Sequence, residues 1–124
     1  TYSAIPVSMA AGLAMQDIIT KENLIQRSKD LSPYFLDGLF SLKDIDIITD
    51  IRGYGMLGGI DVRFDERPGK AGYACFKKLF EEGLSLKATG DCLIVAPPFI
   101  SERSHIDEII EKLRKGITSY KKTQ

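Results

Sequence analysis

The chain has 124 residues, 44% of them hydrophobic, and its 17 Lys and Arg balance 17 Asp and Glu. This length predicts one domain with its own core. The balanced charge argues against a nucleic-acid binder or a polybasic membrane-surface protein, because such proteins carry an excess of basic residues. No apolar run reaches the roughly 18 residues that cross a bilayer and no signal-like segment opens the chain, so we expect a soluble, cytoplasmic protein. The start at Thr1, without methionine, favours a processed or excised piece of a longer protein.

The first predicted helix covers residues 6–20 and is apolar around most of its circumference. Pro6 suits its first turn, where the missing N–H is not needed. Only Ser8, Gly12 and Gln16 form a polar stripe. A helix of this kind needs partners on nearly all sides, so we expect part of its surface to meet another domain or subunit. The alternative is a central helix that this chain's own elements bury.

The second predicted helix covers residues 22–42, with apolar residues recurring every three or four positions. Its amphipathic face comprises Leu24, Ser28, Leu31, Phe35, Leu39 and Leu42. Pro33 lies inside this pattern and either kinks the helix or marks its start. β-branched residues then predict a strand over residues 44–52, and strict alternation predicts a half-buried strand over residues 60–64.

The second half of the chain predicts a loop, a helix, a hairpin and a last helix. The loop covers residues 65–70, and the third helix ends at Gly83. The predicted apolar face of that helix comprises Tyr73, Phe76, Leu79 and Phe80. A hairpin of residues 84–88 and 92–96 precedes the last helix, which Ser101 is expected to cap. The apolar face of the last helix comprises Ile106, Ile109, Ile110, Leu113 and Ile117.

The order α-α-β-β-α-β-β-α predicts an α+β fold, with a small, mostly antiparallel sheet on which the helices pack.

Residues 53–58 match the glycine pattern of dinucleotide-binding loops, GxGxxG. Such a site also needs a helix that opens within the glycine run, because the helix N-terminus holds the pyrophosphate. Residues 60–64 alternate like a strand and cannot supply that helix. The glycines therefore predict a bend or bulge between two strands and the close approach of a neighbouring backbone.

Most other candidate side chains favour structural interpretations. His105, the single histidine, is expected to be solvated near the start of the last helix. Cys75 and Cys92 are expected to be small buried side chains, too few for a disulfide scaffold and not spaced as metal ligands. Asp61 is expected to face outward from a strand, and Asp91 suits a turn. No metal site and no self-sufficient active site is predicted.

Lys87 is the more interesting candidate. On the predicted strand, Leu84, Leu86 and Ala88 share one face, while Ser85 and Lys87 share the other. A cation at the end of a short hairpin can bind the carboxylate of a substrate. The alternative is an exposed lysine on an edge strand.

Five short motifs occur in the order found in one enzyme family. They are Thr1-Tyr2-Ser3-Ala4-Ile5-Pro6-Val7, Ile51-Arg52-Gly53-Tyr54-Gly55-Met56, Gly59-Ile60-Asp61, Glu82-Gly83-Leu84 with Gly90-Asp91, and Ala96-Pro97-Pro98-Phe99-Ile100. Together they resemble segments of class III pyridoxal-phosphate-dependent aminotransferases of the omega-amino-acid:pyruvate type. The resemblance covers essentially the whole chain.

This resemblance implies the C-terminal small domain of a fold-type I enzyme, with residues 1–20 as an interdomain helix and residues 21–124 as the small domain. It implies partnership with a large domain that binds pyridoxal 5'-phosphate and with a homodimer mate. The implied reaction moves an amino group from an amine or omega-amino acid to a keto acid such as pyruvate. In the family the Schiff-base lysine lies upstream of the threonine motif, so this chain is expected to lack it, to hold no catalytic residue and to be inactive alone.

Two roles follow from the resemblance by position. Thr1 matches the threonine that reaches the cofactor phosphate of the partner subunit, and Lys87 matches the arginine with which many members hold the substrate carboxylate. Because lysine offers a point charge without a planar fork, we expect altered carboxylate selectivity. Ile5 replaces the family's usual histidine, and Arg52 receives no cofactor role.

Two alternatives to the aminotransferase remain open at this point. One is an aminomutase or another pyridoxal-phosphate enzyme of the same fold. The other is a non-catalytic interaction domain that docks a partner through its apolar first helix.

Overall fold

The computed structural model describes residues 3–63 and 69–122, without the side chains of residues 121 and 122. Over these residues the elements are α1 (Pro6–Lys21), α2 (Leu24–Phe40), a 3₁₀ turn (Ser41–Asp44), β1 (Ile48–Tyr54), β2 (Leu57–Val62), α3 (Ala71–Glu81), β3 (Lys87–Thr89), β4 (Cys92–Val95) and α4 (Arg103–Lys122). The predicted order of elements is confirmed. Most of the predicted loop, residues 65–68, lies outside the described residues, as does Phe64.

The described strands form one sheet in the order β1-β2-β4-β3, with each neighbouring pair antiparallel. Side chains alternate between the two faces of a strand. One face carries Ile51, Ile60, Val62, Leu93 and Val95, which are buried in a core shared with α2, α3 and α4. The other face carries no helix of the described chain and is called the open face below. The predicted α+β class is confirmed.

Helix α2 supplies one side of the core because its apolar residues repeat every four positions. Leu31, Phe35 and Leu39 are buried, and Phe35 and Leu39 have no exposed surface. Leu42, in the 3₁₀ turn, continues the same face and is also fully buried. The predicted face is thus confirmed. Pro33 lies inside α2 on its exposed side and does not mark the start of the helix.

Helix α3 presents only part of the predicted face to the core, with Leu79 fully buried and Phe76 partly buried against it. Its buried residues are Ala71, Gly72, Cys75 and Leu79. Tyr73 and Phe80 are 60% and 62% exposed. Their ring centroids lie 5.9 Å and 6.1 Å from that of Phe76, so the three rings form a partly exposed aromatic stripe. The prediction was wrong for Tyr73 and Phe80, because beside Leu79 the core receives the smaller residues Ala71, Gly72 and Cys75. An added Cβ at Gly116 of α4 would lie 2.4 Å from Leu79 Cδ2, so the two helices approach too closely for aromatic rings.

The glycine run forms a tight hairpin between β1 and β2. Both strands reach closer to it than predicted, since β1 ends at Tyr54 and β2 begins at Leu57, which is its register partner. Gly55 opens the two-residue turn with φ of +59°, a conformation that favours glycine. An added Cβ at Gly53 would lie 2.5 Å from Leu36 Cδ2. The predicted bend between the two strands is therefore confirmed, but the neighbour that approaches Gly53 most closely is a side chain and not the predicted backbone.

Helix α4 begins two residues beyond Ser101, so Ser101 does not flank it as the predicted cap. Glu102 does, and its backbone N–H donates to His105 Nδ1 at 3.0 Å. The apolar face is confirmed, with Ile106, Leu113 and Ile117 buried.

Helix α1 has no buried residue in the described structure. Val7 and Leu13 are 79% and 71% exposed, and Met9, Met15 and Ile18 are exposed as well. Its burial by this chain's own elements, the alternative considered from sequence, does not occur. Among the described helices, none is long and apolar enough to cross a membrane.

Candidate functional site: the open face of the sheet

Strand register aligns four residues in one row across the open face. Arg52 pairs with Gly59, Gly59 with Ile94, and Ile94 with Lys87. Since alternate residues of paired strands share a face, the side chains of this row project to the same side of the sheet. The open face therefore carries a cation at each edge, with apolar Ile94 and a bare glycine between them.

Lys87 lies on the short edge strand β3 and is exposed. The strand is shorter than the predicted 84–88, since Leu84 and Leu86 precede it, but these two residues and Ala88 pack against the core on the predicted side. Within residues 3–63 and 69–122, none forms an ion pair with Lys87. Its ammonium group is therefore free to meet an anion that approaches the open face.

Arg52, at the other edge, is already engaged. Its Nη1 donates to Asp61 Oδ2 at 2.7 Å and to Asp50 Oδ2 at 2.8 Å, and its Nη2 donates to Asp61 Oδ1 at 3.1 Å. The guanidinium holds the pKa of the Asp61 carboxyl below its ordinary value, and these hydrogen bonds raise the pKa of Arg52. Two carboxylates around one cation leave little attraction for a further anion. No cofactor role is predicted for Arg52, and in the structure it joins Asp50 of β1 to Asp61 of β2.

The Arg52 and Cys92 side chains lie beside the bare backbone of Gly59. An added Cβ there would lie 3.6 Å from Arg52 Cγ and 3.4 Å from Cys92 Sγ. Beside this point lies a hollow of about 490 Å³. Its lining comprises Arg52, Gly53, Tyr54, Leu57, Gly58, Gly59, Cys92 and Ile94. Tyr54 is 91% exposed at its rim. The open face therefore has an apolar hollow next to the ion pairs of Arg52 with Asp61 and Asp50.

The two cysteines differ in their surroundings. Cys75 is buried as predicted, and desolvation raises the pKa of its thiol to about 12. Cys92 is only half-buried, contrary to the prediction, with its Sγ 3.5 Å from Arg52 Nη2. Desolvation and a hydrogen bond with Asp61 raise the pKa of this thiol too, so it stays protonated despite the nearby cation. No residue near it in sequence predicts this contact, because strand pairing creates it.

Asp91 has a structural role that sequence reasoning missed. Its Oδ2 accepts from Gly69 N–H at 2.7 Å and its Oδ1 from Ala71 N–H at 3.0 Å. The carboxylate therefore caps the start of α3 from the β3–β4 turn. His105 is exposed, as predicted. No group of three or more potential metal ligands occurs in the part of the chain that the structure describes.

The sequence matches the aminotransferase class-III family over residues 1–117. The chain belongs to this family. It is 36% identical over 118 residues to an omega-aminotransferase of Caulobacter vibrioides, which covers 93% of this chain and 26% of that protein. It is 34% identical over 118 residues to a beta-alanine–pyruvate aminotransferase of Pseudomonas aeruginosa, covering 94% of this chain and 26% of that protein. The chain thus spans about a quarter of the length of these curated relatives.

Solved aminotransferase structures share the fold. A transaminase with L-alanine superimposes with a TM-score of 0.90 at 26% identity, over 98% of this chain and 30% of that one. The adenosylmethionine-8-amino-7-oxononanoate aminotransferase of Methanocaldococcus jannaschii gives a TM-score of 0.80 at 30% identity, over 88% of this chain and 26% of that one. The resemblance to class III aminotransferases, whose structures are of fold-type I, is confirmed.

Class III aminotransferases depend on pyridoxal phosphate, and the hollow on the open face supplies no lysine to carry it. The lysine that carries this cofactor must lie in a desolvated pocket where its amine can be neutral. No lysine lines the hollow on the open face, and Lys87 is exposed at the sheet edge. Thr1, which the resemblance places at the cofactor phosphate, lies outside the described residues.

Proposed function

We propose that this chain is the C-terminal small domain of a pyridoxal-phosphate-dependent aminotransferase. In this proposal the full-length protein moves an amino group from an amine or omega-amino acid to a keto acid such as pyruvate. The observation that carries it is the family match over residues 1–117, in a chain that spans about a quarter of its relatives. Those relatives include an omega-aminotransferase and a beta-alanine–pyruvate aminotransferase.

In the same proposal, residues 1–20 form an interdomain helix and residues 21–124 the small domain. The uncovered apolar surface of α1 supports this division, because contiguous exposed apolar patches mark interaction surfaces. The large domain, with the cofactor and its lysine, and a homodimer mate complete the enzyme. Thr1 is proposed to reach the cofactor phosphate of the partner subunit.

Lys87 is proposed to hold the substrate carboxylate. It is exposed on the open face and unpaired within the described chain, whereas Arg52 is held by Asp61 and Asp50. Ile94, its register partner, supplies apolar surface beside it. A carboxylate can therefore pair with the ammonium group while a short aliphatic chain lies along Ile94. The charge of Lys87 orients the substrate and takes no part in proton transfer.

Because the cofactor and its lysine are proposed to belong to the large domain, the isolated chain should not bind the cofactor covalently. Incubated with pyridoxal phosphate and then reduced with borohydride, this chain is expected to show no stoichiometric label on any single lysine, because the carrier lysine belongs to the large domain. Peptide mass mapping measures the label. A single fully modified lysine within the chain would contradict the proposal.

The activity itself is tested on the full-length protein. It is expected to form alanine from pyruvate with several amine and omega-amino-acid donors. Isomerised amino acid without transfer to pyruvate would identify an aminomutase. No reaction with any donor, together with capture of a partner through α1, would favour an interaction domain.

Lys87→Ala in the full-length enzyme is expected to raise KM for a carboxylate-bearing donor roughly tenfold or more, because a charge-assisted hydrogen bond is lost. KM for a donor amine without a carboxylate is expected to change little. Lys87→Arg should lower KM for the carboxylate-bearing donor, since its fork can bind both oxygens. Steady-state kinetics with the two donor classes measure these effects.

Lys29→Ala is the matched control, since Lys29 is an exposed lysine of α2, away from the open face. It should leave both KM values unchanged. Equal effects of Lys87→Ala on the two donor classes would remove Lys87 as the carboxylate contact.

A further inference from the structure

We infer that Asp91 and Gly72 are positioning residues for Lys87: together they fix the β3–β4 hairpin onto the start of α3, and this sets where Lys87 stands at the sheet edge. The inference rests on the proposed function, since it takes Lys87 as the contact of the substrate carboxylate. It assigns Asp91 no contact with substrate or cofactor.

The first observation is a helix cap supplied from a distant part of the chain. Lys70 flanks the N-terminus of α3 and makes no side-chain cap. The first backbone N–H groups of a helix lack intrahelical partners and attract negative charge. Asp91 meets this need with two hydrogen bonds, from Gly69 N–H at 2.7 Å and from Ala71 N–H at 3.0 Å. Both oxygens of one carboxylate thus hold the turn to the helix.

The second observation is a backbone contact that only glycine allows. An added Cβ at Gly72 would lie 2.4 Å from the carbonyl oxygen of Gly90, and 3.0 Å and 3.1 Å from the backbone carbon and Cα of Asp91. These are backbone atoms of a tight turn, so no flexible side chain can move aside. The turn and the first turn of α3 are therefore in direct contact.

The third observation is that β3 is a short edge strand beside α3. It has three residues and, among the described strands, pairs with β4 alone, while Ala88 packs against the core and the strand contacts α3. Short two-stranded hairpins are marginal alone. The β3–β4 turn, which α3 holds on one side, is also held by β2, because the backbone carbonyl of Asp91 accepts from Val62 N–H at 2.9 Å. Lys87 lies three residues before Gly90, so the placement of the turn sets the position of the backbone from which its ammonium group reaches over the open face.

Asp91→Asn in the full-length enzyme tests this inference. The amide keeps the shape but offers one acceptor oxygen and turns an NH₂ group toward a backbone N–H. We expect KM for a carboxylate-bearing donor to rise roughly three- to tenfold, with kcat and the KM of a plain amine little changed. Gly72→Ala should act in the same direction. Amide hydrogen exchange over residues 87–92 should become faster in both variants.

Asp44→Asn is the chemically matched control. Asp44 accepts two hydrogen bonds from Arg114, at 2.8 Å and 2.9 Å, and its contacts lie away from the hairpin. This variant should lower thermal stability without raising either KM. In a Lys87→Ala background, Asp91→Asn should add no further rise in KM for the carboxylate-bearing donor, because the group that it positions is gone.

The outcomes separate the two hypotheses. If Lys87→Ala is selective for carboxylate-bearing donors but Asp91→Asn raises KM for both donor classes equally, or for neither, the positioning role is overturned and the proposed function stands. If hydrogen exchange of residues 87–92 is unchanged in Asp91→Asn, the claim that Asp91 fixes the hairpin onto α3 is overturned, whatever the effect of Lys87→Ala. If Lys87→Ala is not selective, the role of Lys87 fails and the positioning role falls with it.

Discussion

Phe35→Ala is expected to lower the free energy of unfolding of the chain by about 3–5 kcal/mol. Phe35 has no exposed surface and lies where α2 meets the sheet, close to Gly58 of β2. Its removal leaves a cavity between packed elements that cannot close around it. Domains of this size have about 5–15 kcal/mol of stability, so the loss is a large share of the total. Urea unfolding followed by circular dichroism measures it as a lower midpoint at unchanged slope.

Phe40→Ala is the matched control because it removes the same side chain from the same helix. Phe40 is 37% exposed and does not belong to the core, and the ammonium group of Lys43 lies 4.8 Å from its ring centroid. We expect a loss of about 1 kcal/mol or less. Comparable losses for the two variants would show that α2 does not bury the face that carries Phe35.

The face of α2 could be predicted from sequence because a single period decides it. Leu31, Phe35 and Leu39 repeat every fourth residue, and large apolar side chains on one stripe have no competing arrangement. The face of α3 could not be predicted in this way. There Tyr73 and Phe80 extend the apolar stripe of Leu79, but the core receives Ala71 and Cys75 beside Leu79. The close approach of α3 to α4 decides between the two faces.

In the candidate site, too, some features could be predicted from sequence and others could not. The outward face of Lys87 follows from alternation within one strand, which the sequence contains. The pairing of Arg52 with Asp61 depends on the register of β1 against β2, which the two-residue turn at Gly55 sets. The contact of Asp91 with Gly69 joins residues 22 positions apart. Contacts of this kind depend on the assembled fold and leave no local pattern to be recognised.

Gly58→Ala is expected to destabilise the chain by about 1–3 kcal/mol, the usual cost of overpacking a core. An added Cβ would lie 2.2 Å from Leu39 Cδ1 and 3.4 Å from Phe35 Cζ. Leu39 has no exposed surface, so its methyl group has no free space into which it can move. Either α2 shifts away from β2 or Leu39 leaves its preferred rotamer. The urea midpoint measures the loss.

The neighbouring glycine gives the matched control for this prediction, since Gly59→Ala makes the same change one residue along the same strand. Its side chain would project to the open face, with Cys92 Sγ at 3.4 Å as the nearest atom, which is ordinary contact. We expect a change within about 0.5 kcal/mol, because no packed element opposes it. A larger loss for Gly59→Ala than for Gly58→Ala would mean that the helices cover the other face of the sheet. Lys87 would then lie on the buried side, and neither its exposure nor its proposed contact with a carboxylate could stand.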